Sequence, residues 1–240
     1  MLYIVPTPVG NLEDITARAL RILREVSFVL AEDTRTTSNL FRHFGIETPL
    51  VSYHKFNEHA TVSRFVSRIA AGESCALVSD AGTPAISDPG YLIVKHCIDA
   101  GVEVQCLPGA TAFVPALVSS GLPNDRFCFE GFLPHKKGRQ TAIRALADEQ
   151  RTMIIYESPF RLVRTLQQLA EALGNERRAS VAREISKIYE EHARGTLQEL
   201  AQYFEQKGVK GEIVIIVEGR RPDRKGRADV GAKDDEDTEN

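Results

Sequence analysis

Short apolar runs that suit β-strands alternate with amphipathic helical segments along most of this 240-residue chain. In the first half the runs fall at Leu2–Pro6, Phe28–Ala31, Cys75–Val78 and Val102–Leu107. Between them, apolar residues recur at helical spacing, as at positions 62, 65, 66, 69 and 70. Strands and helices in alternation predict βαβ units, and therefore an α/β protein with mostly parallel sheets.

A second series of strands and helices begins after a turn-rich segment, Ser119–Asp125. We therefore expect an N-terminal α/β domain at residues 1–120 and a C-terminal α/β domain at residues 121–220, each of ordinary size. The remaining stretch, residues 221–240, is rich in charge and poor in apolar residues, so we expect a disordered acidic tail. The strands of the second series are expected at Phe127–Leu133, Met153–Tyr156, Ser180–Ala182 and Ile213–Val217.

Charge and composition exclude some classes of protein. The stretch 223–240 holds seven acidic and four basic residues, which leaves 26 of each sign in the other 222 residues. Overall charge therefore favours no nucleic-acid partner, and a case for RNA rests on local clusters.

No apolar run reaches the roughly 20 residues that span a bilayer. The four cysteines show no Cys-x-x-Cys spacing, and the N-terminus lacks a signal peptide, so we expect free thiols in the cytoplasm.

The loop Ser79–Gly90 carries the strongest signal of a ligand site. It follows the apolar run Cys75–Val78, and in open α/β sheets ligands bind outside the carboxyl ends of strands. Gly82 lets backbone approach a ligand closely. Of its two carboxylates, Asp80 is a secondary candidate for chemistry, whereas Asp88 is expected to cap the next helix.

Two further strand-to-helix turns, at Thr7–Gly10 and Leu107–Ala112, are also built from small residues. Neither matches the G-x-G-x-x-G dinucleotide fingerprint, and the chain has no P-loop lysine, so NAD and ATP are poor candidates. Together with the loop Ser79–Gly90, these turns predict a concave surface along one edge of a sheet.

The second strand ends in a charged segment that contains Glu32, Asp33 and Arg35. Charges here are costly to bury unless they are paired, and they are well placed to face a cleft. The alternative interpretation is a helix N-cap at one of residues 36–38, although a cap leaves Arg35 unexplained.

Three polar loops remain open to two interpretations. The loop Ser52–His59 has histidines that suit substrate contacts, but their spacing does not fit a metal site, so no metal is expected. The loops Leu133–Arg139 and Glu157–Arg161 are basic and suit phosphate contacts. The loop Ser52–His59 is equally compatible with solvated surface, and for the two basic loops, taken alone, solvated surface is the favoured interpretation.

Taken together, these motifs resemble the tetrapyrrole methylase superfamily, over roughly Met1 to Gly219. Within it, the chain is similar to the branch that acts on ribosomal RNA as a cytidine 2′-O-methyltransferase. The motifs that carry the resemblance are residues 2–16, 31–35, 79–90, 107–111 and 156–161.

The resemblance implies S-adenosylmethionine as the cofactor, bound between two α/β domains. It implies a homodimer, and a cytidine at the decoding centre of the small subunit as the target, either in free RNA or in the assembled subunit. The cofactor contacts it implies are Pro8, Ala81, Gly82, Thr83, Ile86, Thr111 and Ala112 from the first domain, with Tyr156, Ala182 and Glu212 from the second.

A ribose hydroxyl is a poor nucleophile, so methyl transfer to it calls for a general base. Asp33 or Glu32 is the first candidate and Asp80 the third, with Arg35 to hold a phosphate or orient the carboxylate. Contacts with RNA are expected from His54, Asn57, Lys136, Arg139 and Arg161.

Two other functions share parts of this pattern. A methylase of a tetrapyrrole precursor would use the same fold and cofactor, but residues 31–35 and 157–161 resemble the RNA-acting branch instead. A non-catalytic ribosome-binding module would keep the fold and lose the cofactor, which the intact small-residue loops argue against.

Overall fold

A computed structural model describes residues 1–220, which form two five-stranded sheets with helices packed on them. The stretch 221–240, where a disordered acidic tail is expected, lies outside the described residues. Among the described residues no helix is both long and apolar enough to span a membrane.

The first sheet is entirely parallel, in the order β3-β2-β4-β1-β5. Its residues alternate between two cores on opposite faces, as in β2, where Phe28 and Leu30 face one core and Val29 and Ala31 the other. The strands are β1 (Leu2–Ile4), β2 (Phe28–Ala31), β3 (Leu50–Ser52), β4 (Cys75–Val78) and β5 (Val104–Cys106), and the helices are α1 (Ala17–Glu25), α2 (Thr34–Phe44), α3 (Glu58–Ala70) and α4 (Tyr91–Asp99).

The strand order reverses between the neighbouring strands β1 and β4. The connection that leaves β1 runs toward β2 and β3 at one edge of the sheet, whereas the connection that leaves β4 runs to β5 at the other edge. Ligands of open α/β sheets bind at such a switch point. The turns that follow β1 and β4 therefore meet where a crevice is expected.

The second sheet has the order β6-β7-β10-β8-β9 and is mixed. Only β6 and β7 pair in parallel, and the other three pairings are antiparallel, which corrects the expectation of a mostly parallel sheet in this domain. Its elements are β6 (Phe127–Phe132), β7 (Thr152–Glu157), β8 (Arg178–Arg183), β9 (Glu191–Thr196) and β10 (Ile213–Val217), with α5 (Phe113–Ser120), α6 (Arg139–Ala145), α7 (Leu162–Leu173) and α8 (Leu197–Lys207).

Strand β9 has no counterpart among the sequence-based predictions because its residues are polar and it lies at the sheet edge. The short connection from β8 to β9 allows only antiparallel pairing, since a parallel partner needs a long crossover. The α/β fold class itself is confirmed.

Helix α5 packs on the second sheet although it precedes the expected domain boundary at residue 120. Its Ala116 and Leu117 share a core with Ala182, Val214 and Ile216. Residues 107–112, the turn after β5, therefore connect the first sheet to the second and lie in the space between them.

Candidate functional site

A cavity of about 440 Å³ lies between the carboxyl edge of the first sheet and the second sheet. This volume is in the range of small-molecule sites. From the first sheet and the connection to the second sheet it is lined by Val9, Glu32, Asp80, Ala81, Gly82, Thr83, Ile86, Ser87, Asp88, Thr111, Ala112 and Phe113. From the second sheet and its loops it is lined by Phe132, Tyr156, Glu157, Ser158, Pro159, Ile185, Gly211, Glu212, Ile213 and Val214.

The turns after β1 and β4 are joined by a short antiparallel bridge between Thr7 and Gly82. The backbone N–H of each residue donates to the carbonyl of the other at 2.9 Å, and the Thr7 hydroxyl donates to the Ser79 carbonyl at 3.1 Å. Gly82 has φ +79°, a left-handed conformation that favours glycine. The bridge holds the backbone of residues 81–83 against the cavity.

The rest of the loop after β4 is strained. Ala85 and Ser87 have φ of 70° and 66°, a region that costs a non-glycine residue on the order of 1 kcal/mol or more. The Thr83 hydroxyl ties the loop to the turn after β5 by donating to the Ala110 carbonyl at 3.0 Å. Such strain is retained where the surrounding structure enforces it, and here it shapes the cavity wall.

Three carboxylates from two neighbouring strands face the cavity, namely Glu32, Asp80 and Asp88. The backbone N–H of Asp80 donates to Glu32, and that of Asp33 donates to the Asp80 carboxylate at 3.2 Å. Asp88 is hydrogen-bonded to the Ser79 hydroxyl. The expectation that Asp88 caps helix α4 is wrong, because Gly90 occupies the N-cap and no side chain caps that helix.

Burial and mutual repulsion perturb these carboxylates. Burial, with the charges of Asp88 and Asp80, raises the pKa of Glu32 to about 7. Burial, with the charge of Asp80, raises the pKa of Asp88 to about 6 despite the hydrogen bond from Ser79. Burial also raises the pKa of Asp80. A carboxylate that titrates near neutral pH beside a cavity suits proton transfer.

Asp33 behaves differently from Glu32. It caps helix α2, where its carboxylate accepts from the Arg35 backbone N–H at 2.8 Å and from the Arg35 guanidinium at 2.6 Å. The hydrogen bonds from Arg35 hold the pKa of Asp33 at about 2. Asp33 and Arg35 do not line the cavity. The sequence-based alternative placed the helix N-cap at one of residues 36–38, but the N-cap is Asp33.

An aromatic wall forms one side of the cavity. Tyr156 packs between Phe129 and Phe132, with ring centroids 5.1 Å and 5.5 Å away, and Phe113 packs on Phe129 at 5.2 Å. Burial raises the pKa of Tyr156 to about 12. The wall offers flat apolar surface and a hydroxyl that stays protonated.

Behind this wall lies a buried polar network centred on Glu157. Its carboxylate accepts from the Thr165 hydroxyl at 2.7 Å and from guanidinium groups of Arg161 at 2.6 Å and Arg139 at 3.3 Å. Arg139 is 5% exposed and also donates to Gln168 at 2.8 Å. The expectation that Arg139 contacts RNA is therefore wrong, because it is packed inside the second domain and paired there.

The other expected RNA contacts lie outside the cavity lining. Lys136 is exposed, and Arg161 is half-buried with one nitrogen 2.7 Å from His135. The Asn57 side chain accepts from the His54 backbone N–H at 2.8 Å, which shapes its own loop.

Most of the expected cofactor contacts do line the cavity, whereas Pro8 and Ala182 do not. Ala182 is fully buried in β8, and the neighbouring Val9 faces the cavity in place of Pro8. The cavity residues that sequence reasoning did not single out include Phe113, Phe132 and Ile185. Spacing alone offers no signal for them, because they reach the cavity only through the packing of the two sheets.

Within residues 1–220, no group of three or more histidine, cysteine or carboxylate side chains is arranged to hold a metal ion.

The model of the family described as Tetrapyrrole (Corrin/Porphyrin) Methylases matches residues 1–201. The chain belongs to this family, and the predicted family and the predicted class of enzyme, a methyltransferase, are confirmed. Curated relatives carry the name "Ribosomal RNA small subunit methyltransferase I". One from Synechocystis sp. is 49% identical, covering 93% of this chain and 80% of the relative. Another from Thermotoga maritima is 43% identical, covering 91% of this chain and 98% of the relative.

Solved structures share the fold at low identity. Diphthine synthase matches with a TM-score of 0.69 and 15% identity, over 90% of this chain and 89% of that one. Uroporphyrin-III C-methyltransferase from Thermus thermophilus, complexed with S-adenosyl homocysteine, matches with a TM-score of 0.61 and 21% identity, over 90% of this chain and 96% of that one. These likenesses concern the fold.

Proposed function

We propose that this chain transfers a methyl group from S-adenosylmethionine to the 2′-hydroxyl of a cytidine in small-subunit ribosomal RNA, at the decoding centre. The observation that carries the proposal is the position of Glu32, a carboxylate with a pKa near neutrality, in the lining of one cavity together with a wall of small residues. The names of relatives at 43–49% identity support the same substrate.

The half of the cavity formed by residues 81–83 and 111–112 suits the cofactor. Small side chains expose backbone donors and acceptors there, and Ile86, Phe113 and Ile185 supply apolar surface. S-adenosylmethionine, when bound, supplies an electrophilic methyl group on a sulfonium. The nearby carboxylates complement its positive charge, so the residues present fit the group.

The other half, with Glu32, Asp80 and Asp88, suits the ribose that accepts the methyl group. Glu32 accepts the proton of the 2′-hydroxyl. Burial, together with the charges of Asp88 and Asp80, keeps the pKa of Glu32 high enough for that role. Asp33 is the weaker candidate, because a carboxylate with a pKa of about 2 has little affinity for a proton. Alignment of hydroxyl, methyl and sulfur supplies the rest of the rate enhancement.

The acidic cavity repels phosphate groups, so the RNA backbone stays at the rim while one nucleoside enters. Lys55 lies close enough to Glu32 to lower its pKa. In the second domain, Arg161 pairs with Glu157, which lines the cavity, and Lys136 is exposed on the loop Leu133–Arg139. Cations at the rim bind phosphates without reading sequence. His54 and Asn57, which shape the loop beside Lys55, belong to the same rim.

A homodimer and a cytoplasmic location are part of the proposal. Val114 and Val118 lie one turn apart on the outer face of α5 and are 43% and 65% exposed, which supports an apolar contact between copies. Ribosomal RNA as the substrate supports the cytoplasm as the place of action.

The test is transfer of labelled methyl groups from S-adenosylmethionine to small ribosomal subunits from a strain that lacks this modification. Naked RNA serves as the parallel substrate, and nuclease digestion shows whether the label lies on a ribose or a base. Label on a cytidine ribose with wild type, formed roughly 10²- to 10⁴-fold more slowly with Glu32→Gln, is the expected result.

Three other results would contradict the proposal. Label on a base would refute 2′-O-methylation. Transfer to a tetrapyrrole precursor, without transfer to RNA, would indicate the alternative methylase. Binding to subunits without binding of S-adenosylmethionine would indicate a non-catalytic module.

A further inference from the structure

A contact between the two domains lies beside the cavity. The connection from β8 to β9 reaches the turn after β1, and the aliphatic stem of Lys187 lies directly on Gly10. A Cβ atom at Gly10 would overlap that stem. Lys187 and Gly10, with Glu184, Gly211 and Glu212, form what we call the clasp.

The ammonium group of Lys187 is fixed by two carboxylates. It donates to Glu184 and to Glu212, each at 3.0 Å. Glu184 in turn accepts from the Glu212 backbone N–H at 2.8 Å, and the Glu184 N–H donates to the Glu212 carbonyl at 2.9 Å. These hydrogen bonds fix Glu212 relative to the lysine.

Space for this arrangement depends on a second glycine. A Cβ at Gly211 would overlap the Glu184 side chain, so any other residue there would displace Glu184 from its partners. Glu184 and Ser186 have φ of 53° and 63°, a costly conformation outside glycine. The connection is held in strained geometry that points Lys187 at the first domain.

The clasp is continuous with the cofactor half of the cavity. Val9, next to Gly10, lines the cavity, and so do Ile185, Gly211 and Glu212. Lys187 itself stands behind this wall and does not line it. Its side chain is 27% exposed, which is low for a lysine that only meets solvent.

We propose that Lys187 is a positioning residue for the cofactor, which holds the two domains together over Gly10 and, through Glu184, holds the backbone of Glu212 at the cavity wall. The inference rests on the proposed use of S-adenosylmethionine. Lys187 acts through Glu184, the backbone of Glu212 and the width of the cavity, so it affects cofactor binding and leaves the methyl-transfer step unchanged.

The experiment is calorimetric titration of the full chain with S-adenosylhomocysteine. Lys187→Ala removes the stem and the charge, and Gly10→Ala displaces the same stem from the other domain. Both are expected to raise the Kd about ten-fold, which corresponds to about 1.4 kcal/mol of binding free energy. Lys187→Met keeps an unbranched side chain over Gly10 and removes only the charge. Its rise in Kd is expected to be smaller than that of Lys187→Ala, and it measures the contribution of the charge.

Lys207→Met is the matched control. Lys207 forms an ion pair with Glu191 in the same domain, away from the cavity, so this variant is expected to keep the wild-type Kd. In the methylation assay, Lys187→Ala is expected to raise the KM for S-adenosylmethionine, with kcat at saturating cofactor and the KM for RNA unchanged.

A wild-type Kd for Lys187→Ala, even with a lower Tm, would refute the inference, because a merely structural role lowers only stability. Weak binding by Lys187→Ala with wild-type binding by Gly10→Ala would refute the contact between domains. A wild-type chain that binds S-adenosylhomocysteine but does not methylate RNA contradicts the proposed function, while the titrations still decide the role of Lys187.

Discussion

Glu32→Gln separates the catalytic role of this carboxylate from its cost to stability. The substitution keeps the size of the side chain and removes its ability to accept a proton from a ribose hydroxyl. General bases contribute roughly 10²- to 10⁴-fold to such reactions, so the single-turnover rate is expected to fall by about that factor. Binding of S-adenosylhomocysteine is expected to stay as in the wild type.

The stability effect follows from the raised pKa. Glu32 has a pKa of about 7 in the folded chain against an ordinary value of 4.5, so the ionised carboxylate is less favourable in the folded chain than in the unfolded chain. This cost is absent below pH 4.5 and complete above pH 7. The shift in pKa corresponds to about 3 kcal/mol, and solvent screening at this half-buried site reduces the cost to about 1–2 kcal/mol.

Glu32→Gln removes that cost. The variant is expected to melt several degrees above the wild type at pH 8.5, at about 2–4 °C per kcal/mol, and at the wild-type temperature at pH 4. The wild-type rate is expected to fall about ten-fold between pH 8 and pH 6, because protonated Glu32 cannot accept the proton.

The assay is single-turnover transfer of labelled methyl groups to small subunits, with thermal melts at both pH values. Asp33→Asn is the matched control, since asparagine also caps a helix and Asp33 lies outside the cavity lining. A Glu32→Gln rate within ten-fold of wild type, or a larger loss with Asp33→Asn, would refute the assignment of the base.

Three further variants test neighbouring features. Asp88→Asn removes a charge that raises the pKa of Glu32, so the midpoint of the pH–rate profile is expected to move to lower pH; an unchanged midpoint would exclude this coupling. Arg139→Met leaves the buried carboxylate of Glu157 with fewer partners, so urea unfolding is expected to show a free energy of unfolding about 3–5 kcal/mol lower than that of the wild type. An unchanged unfolding midpoint would show that Arg139 is not buried in this ion pair. Lys136→Ala is expected to weaken RNA binding and to reduce the slope of log affinity against log salt by about one, with unchanged stability; an unchanged slope would remove Lys136 from the RNA rim.

Local sequence chemistry predicted the part of the site that lies in short loops. Gly82 adopts the left-handed conformation for which a glycine is suited, and the small residues at 111–112 do line the cavity. These features depend on neighbours in the chain, so the motif in the sequence is enough to predict them.

Long-range packing decided the roles of the charged residues. Glu32 and Asp33 are adjacent in sequence, yet one loses solvent beside Asp80 and Asp88 while the other pairs with Arg35. Arg139 belongs to a basic loop by sequence but is buried against Glu157. No spacing rule separates these cases, because the residues that surround Glu32 and Arg139 lie far along the chain, whereas Asp33 pairs with its near neighbour Arg35.

The sequence by itself determined the alternation of strands and helices, the family, and the loops that shape a ligand site. Only the tertiary structure decided that the second sheet is mixed, that α5 packs on it, and that Lys187 reaches across to Gly10. The physical reason is that hydrophobic periodicity and turn chemistry act over a few residues. Burial, and the shifts in pKa that burial causes, depend on which distant segments meet.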